Sequence, residues 1–374
     1  MIKAEIVADS LSPQGDRLTS LLITFPRIIL AEVNTHRMLS KNTSSSRAIP
    51  FNKMVEAIQE EPFIPIAWQK DHKGMQGNEY LTPNTKDLDY ESLERDWLQA
   101  RDFAVQVASE LNDNGEGFGV TKQLCNRLLE PFMWTTMLIT GSKEGWDNFF
   151  HLRCPNYEIA GVKKLPDDTL VQTPTEYVKS KKEAIAKFPQ LSIFSDLNWL
   201  HINKGQAEIH MMDLAEKIYD AINESTPKQL QADEWHIPFE DKLFNRYYDF
   251  EMAVDVPLPV EDKIKVSVAM AARTSYTVVG NEKEIDYSKM IDLHDRLIAQ
   301  DPPHSSPLEH CARAMSDEEY FKSYRGNTLP FGYANKEDAL IEGYLDKKDK
   351  NVGWCGPYKG FISYRYFIDN NLKI

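Results

Sequence analysis

Between Thr35 and Arg47 the chain reads THRMLSKNTSSSR, and nearly every side chain in it can donate or accept a hydrogen bond. His36, Arg37 and Arg47 bracket a run that contains Ser40, Asn42, Thr43, Ser44, Ser45 and Ser46. Small hydroxyl residues leave backbone N–H groups accessible, and a guanidinium presents a planar fork matched to phosphate oxygens. The chemistry this composition suits is capture of a phosphate-bearing ligand. A polar surface loop would share the serines, but the flanking arginines and histidine favour the anion site. Two further groups of polar residues follow. Arg127 lies ahead of Pro131, then come Thr136, Thr140, Ser142, Glu144, Asn148 and Arg153; much later stands His304-Ser305-Ser306-Pro307-Leu308-Glu309-His310. Cys311 adjoins His310, yet no fourth cysteine or histidine lies nearby and adjacent residues rarely reach one metal together, so no metal site is expected.

The elements that would carry these residues can be read from periodicity. Leu21, Leu22, Ile23 and Phe25 form an apolar run suited to one buried strand. Pro26 can open a short helix, with Ile28, Ile29, Ala31, Glu32 and His36 on one side. Met54, Val55 and Ile58 have helical spacing, and the turn-rich remainder of 51–93 reads as an irregular packed loop. From Leu93 to Leu111 the pattern predicts an amphipathic helix presenting Trp97, Ala100, Phe103, Ala104, Val107 and Leu111, stopped at Asn112–Gly115. Gly115, Gly117 and Gly119 follow no strand, so they read as a connection to a second helix capped by Thr121 and ended by Glu130-Pro131. Residues 154–203, charged and proline-rich, read as an insertion with one helical piece around Thr175–Phe188; a helix from Ile209 and another over Ser288–Ala299 follow.

Composition narrows the class. The chain has 374 residues, 42% hydrophobic and 11% aromatic, enough for a sizeable core. No stretch approaches the ~18 apolar residues that cross a bilayer, and the N-terminus lacks a signal peptide's apolar run, so a cytoplasmic protein is expected. Cys125, Cys154, Cys311 and Cys355 stand singly, as reduced thiols do. A net charge of −14 argues against non-specific nucleic-acid binding and leaves an anionic ligand to a local arginine cluster.

Thr35-His36-Arg37-x-x-Ser40-x-Asn42-x-x-Ser45-x-Arg47 resembles the RHRxxSxNE signature, with the Ser and Arg that follow it, of the flavin-dependent thymidylate synthases, with Thr35 in place of the first Arg and Thr43 in place of Glu. Arg127 and Pro131 resemble that family's Arg-x-x-Leu-Pro, and Thr136, Thr140, Asn148, Phe149 and Arg153 follow in the family's order, while Ser142 and Glu144 replace Asn and Arg. Ala271-Ala272-Arg273-Thr274-Ser275-Tyr276 and His304–His310 resemble its AARxS and HxTPFEH segments. In the family those two segments precede the RHR motif, so a circular permutation is expected here. The loop 51–93, the stretch 154–203 and the tail have no counterpart.

The resemblance implies an α+β fold, a central and mostly antiparallel sheet flanked by helices, with insertions. It implies one large permuted catalytic domain: 1–50 and 94–225 as the core, 51–93 and 154–203 as insertions, 260–374 as the flavin-side segment. It implies flavin-dependent methylation of dUMP to dTMP, with FAD, NADPH and methylenetetrahydrofolate, in a homotetramer whose subunits share each site. Arg153 and Ser45 match catalytic positions; Glu32, Ser45, Arg47, Arg127 and Arg153 match substrate-binding ones. Thr35, His36, Arg37, Asn42, Ser142, Asn148, His304, Ser306 and Glu309 match positions on the cofactor side. Glu32 stands where Gln is usual, and a carboxylate can accept a bond from a cytosine amine. Methylation or hydroxymethylation of dCMP or dUMP, as in viral DNA modification, is therefore an alternative, as is a nucleotide-binding homologue that has lost flavin.

Overall fold

A computed structural model describes residues 1–373 apart from 75–76, 78, 87, 114, 116, 160–161, 165–169, 173–174, 244–245, 250–253, 276–285 and 324–349. The chain is mixed α and β. Strands β1 (Lys3–Leu11), β2 (Arg17–Pro26), β3 (Ser40–Thr43), β4 (Trp134–Ser142) and β5 (Lys228–Gln229) make one sheet in the order β5-β1-β2-β4-β3. All pairings are antiparallel except β1 with β5.

The middle of this sheet is buried on both faces, which is why Leu21, Leu22 and Ile23 of β2 and Met137, Leu138 and Ile139 of β4 are apolar at successive positions rather than alternating ones. Leu21, Ile23, Phe25, Met137 and Ile139 point into one core with Trp146 and Phe149 of helix α5 (Lys143–Arg153) and Met211, Leu214 and Ile218 of helix α8 (Ile209–Glu224). Leu22 and Leu138, one residue out of phase, point the other way, into a core with Val266, Ala269 and Met270 of helix α9 (Val260–Arg273). Glu208 fixes the start of α8 by accepting from the backbone N–H groups of His210 at 2.8 Å and Met211 at 3.0 Å. Helix α9 begins after Pro259, carries Glu261 and Asp262 in its first turn and Arg273 in its last, in keeping with the helix dipole.

Helices α2 (Phe51–Glu60), α3 (Tyr90–Asn112) and α4 (Lys122–Leu129) form a separate core of Met54, Ile58, Val105, Ala108, Cys125 and Leu129. Helix α4 starts at the expected cap, with Thr121 accepting from the N–H of Gln123. The face of α3 differs from the expected one: Val105 and Ala108 are buried, whereas Ala100 is exposed and Phe103 is 67% exposed. The buried stripe is turned by one position, and Arg101 lies along its edge, its guanidinium donating to Ile58 O at 3.2 Å.

The segment after β2 also departs from expectation. Arg27–Ile29 form a 3-10 turn before α1 (Leu30–Asn34), and that tighter turn changes the phase. Ile29, Val33 and His36 are buried; Ile28 and Ala31 face outward. In the 154–203 stretch the helical piece is shorter than expected. Glu176–Val178 pairs with Tyr157–Ile159 as strands, and helix α6 (Lys181–Lys187) begins only at Ser180, which caps it by accepting from Glu183 N at 3.0 Å. Together with helix α7 (Asp196–Ile202) these residues build a core of their own around Tyr157, Val178, Ala184 and Trp199.

Toward the C-terminus, α9 packs with helix α10 (Tyr287–Ile298), one residue from the expected start. Strands β6 (Trp235–His236), β7 (Ala312–Ala314) and β8 (Phe361–Ser363) form a small sheet, and the aromatic tail turns from β8 into helix α12 (Tyr364–Asp369), helix α11 (Asp317–Lys322) lying between β7 and β8 in sequence. Among the described residues no helix is long and apolar enough to cross a membrane.

Candidate functional site

The polar turn after α1 and the last turn of α5 meet, although 117 residues separate the partners. Arg153 Nε–H donates to His36 Nε2 at 3.0 Å and its Nη2 to Thr35 Oγ1 at 3.4 Å, while its Nη1 lies 3.6 Å from Glu32 Oε2. The sequence places Arg153 at the end of a helix whose Phe149 is buried in the core, and Phe149 also meets the His36 ring edge-on at 4.8 Å. His36 is thus clamped from two sides. Because its Nε2 accepts, the imidazole is the neutral Nδ1–H form. Burial, then the nearby charges of Arg153 and Lys41, push its pKa down to about 4. Glu32 is shifted the other way, upward, by burial and by Glu208, with Arg153 opposing.

Lys41, which the sequence reading did not nominate, holds this turn from below. Its ammonium donates to the carbonyls of His36, Val33 and Asn34, ending α1, and burial lowers its pKa to about 8, against the pull of Glu309. A cation flanking a polar run was a visible signal, but its three acceptors are set by the turn.

A second constellation lies at the serine run. Arg27 donates from Nη1 to Ser44 O at 2.8 Å and Thr135 Oγ1 at 3.3 Å, and from Nη2 to Glu130 Oε1 at 3.3 Å. Ser46 Oγ–H donates to the same oxygen at 2.6 Å, and Arg127 Nη1 lies 3.6 Å from it. Asn126, fully buried, donates to Ser46 O at 2.6 Å and Ile49 O at 3.0 Å and so fastens the serine run to α4. Arg47 is exposed and donates to Gln123 Oε1 at 3.4 Å. Ser45 is half-buried, its backbone N–H donating to Ser275 O at 2.9 Å. Neither Arg27 nor Asn126 was nominated from sequence, since each acts through a partner far along the chain.

The C-terminal motif block joins the first one. Asn42 donates to Ala271 O and, at 3.0 Å, to Thr274 Oγ1, and accepts from Ser306 Oγ at 2.9 Å. Glu309 bonds Arg365. Tyr276, the end of the AARTSY segment, lies outside the described residues.

The positions matched to the cofactor therefore fall into three sets. Thr35 and His36 belong to the Arg153 cluster, and Asn42, Ser306 and Glu309 are engaged within the fold. Arg37, Asn148 and His304 are exposed, and the buried Ser142 hydroxyl has no hydrogen-bond partner among the described residues. The exposed Arg37, Asn148 and His304 can offer donors and acceptors to a ligand, whereas the Ser142 hydroxyl lies inside the fold.

A buried hydrogen-bonded chain runs through the sheet beside this region: Ser10 Oγ to His236 Nδ1 at 2.9 Å, His236 Nε2 to Ser20 Oγ at 2.8 Å, Ser20 Oγ to Thr140 Oγ1 at 2.6 Å, and Thr140 Oγ1 to His310 Nδ1 at 2.8 Å. Burial pushes both histidines down to about 3. A cavity of about 200 Å³ lies elsewhere, between α8 and the 154–203 stretch, lined in part by Tyr157, Trp199, Asp213 and Glu216; none of the nominated residues borders it.

No protein-family model matches the chain, and no curated protein does. Its structural neighbours include a UMP/dUMP methylase, PolB, from Streptomyces cacaoi bound with 5-Br UMP, at 17% identity and TM-score 0.33, covering 41% of this chain and 77% of that one. The same enzyme bound with 5-Br dUMP aligns at 18% identity and TM-score 0.29, over 37% of this chain and 55% of that one. Thymidylate Synthase X (ThyX) from Helicobacter pylori, solved with FAD and dUMP, aligns at 14% identity and TM-score 0.29, over 55% and 67%.

Proposed function

We propose that this chain methylates carbon 5 of a pyrimidine deoxynucleoside monophosphate, converting dUMP to dTMP with methylenetetrahydrofolate as carbon donor, NADPH as reductant and FAD as a bound cofactor. The observation that carries this reading is the gathering of Arg153, His36, Thr35 and Glu32 into one half-exposed polar cluster from two distant parts of the sequence. A guanidinium held there can stabilise negative charge that develops on the pyrimidine ring as carbon 5 becomes nucleophilic. His36, kept neutral, fixes the plane of the guanidinium without adding a competing charge. The serine run, with Arg27, Arg47 and Arg127, would take the phosphate. Arg37, Asn148 and His304 would hold the flavin, which supplies hydride chemistry when bound; Ser142, fully buried, would not touch it. The hydrogen bonds that join Asn42 and Ser45 to Ala271–Ser275 and Ser306 support one permuted catalytic domain, and the exposed Arg37 and Asn148 suit a site completed in a homotetramer.

One observation favours a cytosine nucleotide as a second reading. Glu32 sits 3.6 Å from Arg153, and a carboxylate there can accept from an exocyclic amine that uracil lacks. The test is to saturate the protein with FAD, desalt it, and record the visible spectrum before and after adding dUMP or dCMP. Retained flavin whose bands shift is the expected result, and the nucleotide giving the larger shift is the substrate. A colourless protein would reduce the reading to nucleotide binding alone.

A further inference from the structure

We propose that the phosphate corner of this site is occupied by the chain's own Glu130, whose carboxylate is a built-in competitor that a phosphomonoester must displace. The inference rests on the nucleotide reading above and names the residue that sets which anions the site accepts. Three groups from three elements converge on one oxygen, Glu130 Oε1: Ser46 Oγ donates at 2.6 Å and Arg27 Nη2 at 3.3 Å, and Arg127 Nη1 makes an ion pair at 3.6 Å. A simple ion pair needs a single partner; two donors and a second cation focused on one anionic oxygen is how a protein holds an oxyanion.

Arg27 and Ser46 are fixed by further bonds, whereas Arg127 reaches in from the surface. Arg27 is tied through its other nitrogen to Ser44 O and Thr135 Oγ1, with its side chain 12% exposed, and Ser46 is held through its carbonyl by the buried Asn126. Burial lowers the pKa of Arg27 and Glu130 opposes that, so the guanidinium needs an anion beside it whether or not a ligand is bound. Glu130 lies in the 3-10 turn after α4, and its side chain is 24% exposed, which leaves it a path outward to water. The Arg-x-x-Leu-Pro pattern that Arg127 and Pro131 resemble has Leu where Glu130 stands. A phosphate dianion brings more charge and more acceptor oxygens than a carboxylate and can displace it. A free nucleoside has nothing to offer the corner and leaves Glu130 in place.

The experiment is a calorimetric titration of the full chain and of Glu130→Gln and Glu130→Leu with dUMP, deoxyuridine and inorganic phosphate, each protein first checked by thermal melting. Removing the competitor should tighten dUMP and inorganic phosphate roughly tenfold, the scale of one charge-assisted hydrogen bond, and leave deoxyuridine unchanged. Should Glu130→Gln fail to fold, Glu130→Leu, which also removes the charge, carries the measurement. Unchanged or weaker dUMP binding by a folded variant, beside a wild type that binds dUMP, would overturn the competitor role and leave the nucleotide reading standing. Absence of dUMP and phosphate binding by wild type and variants alike would overturn both.

Discussion

Arg153 and His36 explain each other only as a pair. A guanidinium that donates to an imidazole nitrogen requires that nitrogen to stay unprotonated, and burial of the ring secures it. Arg153→Ala is therefore expected to lower turnover by on the order of 10²–10³, the usual loss of one donor to developing charge, with retained flavin nearly unchanged. Steady-state rates and the flavin absorbance of the desalted variant check this; a wild-type rate would remove Arg153 from the chemistry. At this scale the sequence was informative where a motif named residue types. It was silent on Arg27, Lys41, Asn126 and Glu130, because a lone arginine or asparagine carries no mark of the distant carbonyl or carboxylate it will meet.

Elements were legible where one physical signal dominated. Thr121 capped α4, Asn112 ended α3, and the apolar run of β2 became a strand of a sheet covered on both sides. Where two neighbouring stripes of a helix were both apolar, as on α3, the choice of the buried one lay with α2 and α4 rather than with the helix itself. The same holds for the serine run, whose path is set by Asn126 reaching across from α4. Asn126→Ala should destabilise the protein by about 1–3 kcal/mol, since two carbonyls lose a buried donor, and should loosen nucleotide binding without disturbing the Arg153–His36 contact. Urea midpoints together with dUMP titration test this; a variant as stable as wild type would mean that the run holds its shape unaided.

For the molecule as a whole, the buried chain from Ser10 to His310 links strands β1, β2 and β4 to β6 and to the turn that carries Ser306. No local pattern revealed it, since its members are ordinary hydroxyls and histidines until the sheet brings them together. Its two histidines are held neutral, their pKa moved from 6.5 to about 3, and that of His36 from 6.5 to about 4. A depressed folded-state pKa means that the unfolded chain binds more protons in between. Stability should thus be full above pH 6.5 and fall as the pH drops, by roughly 1.4 kcal/mol per pH unit for each histidine involved. Unfolding curves between pH 7 and 4 check it, and a flat profile would contradict the burial of these rings. The joint made by Asn42 has a further consequence, for inheritance rather than for energy. One amide group serves Ala271, Thr274 and Ser306 at once, so the two motif blocks cannot drift apart independently. A chain that replaces Asn42 must refit the end of α9 and the Ser306 turn together.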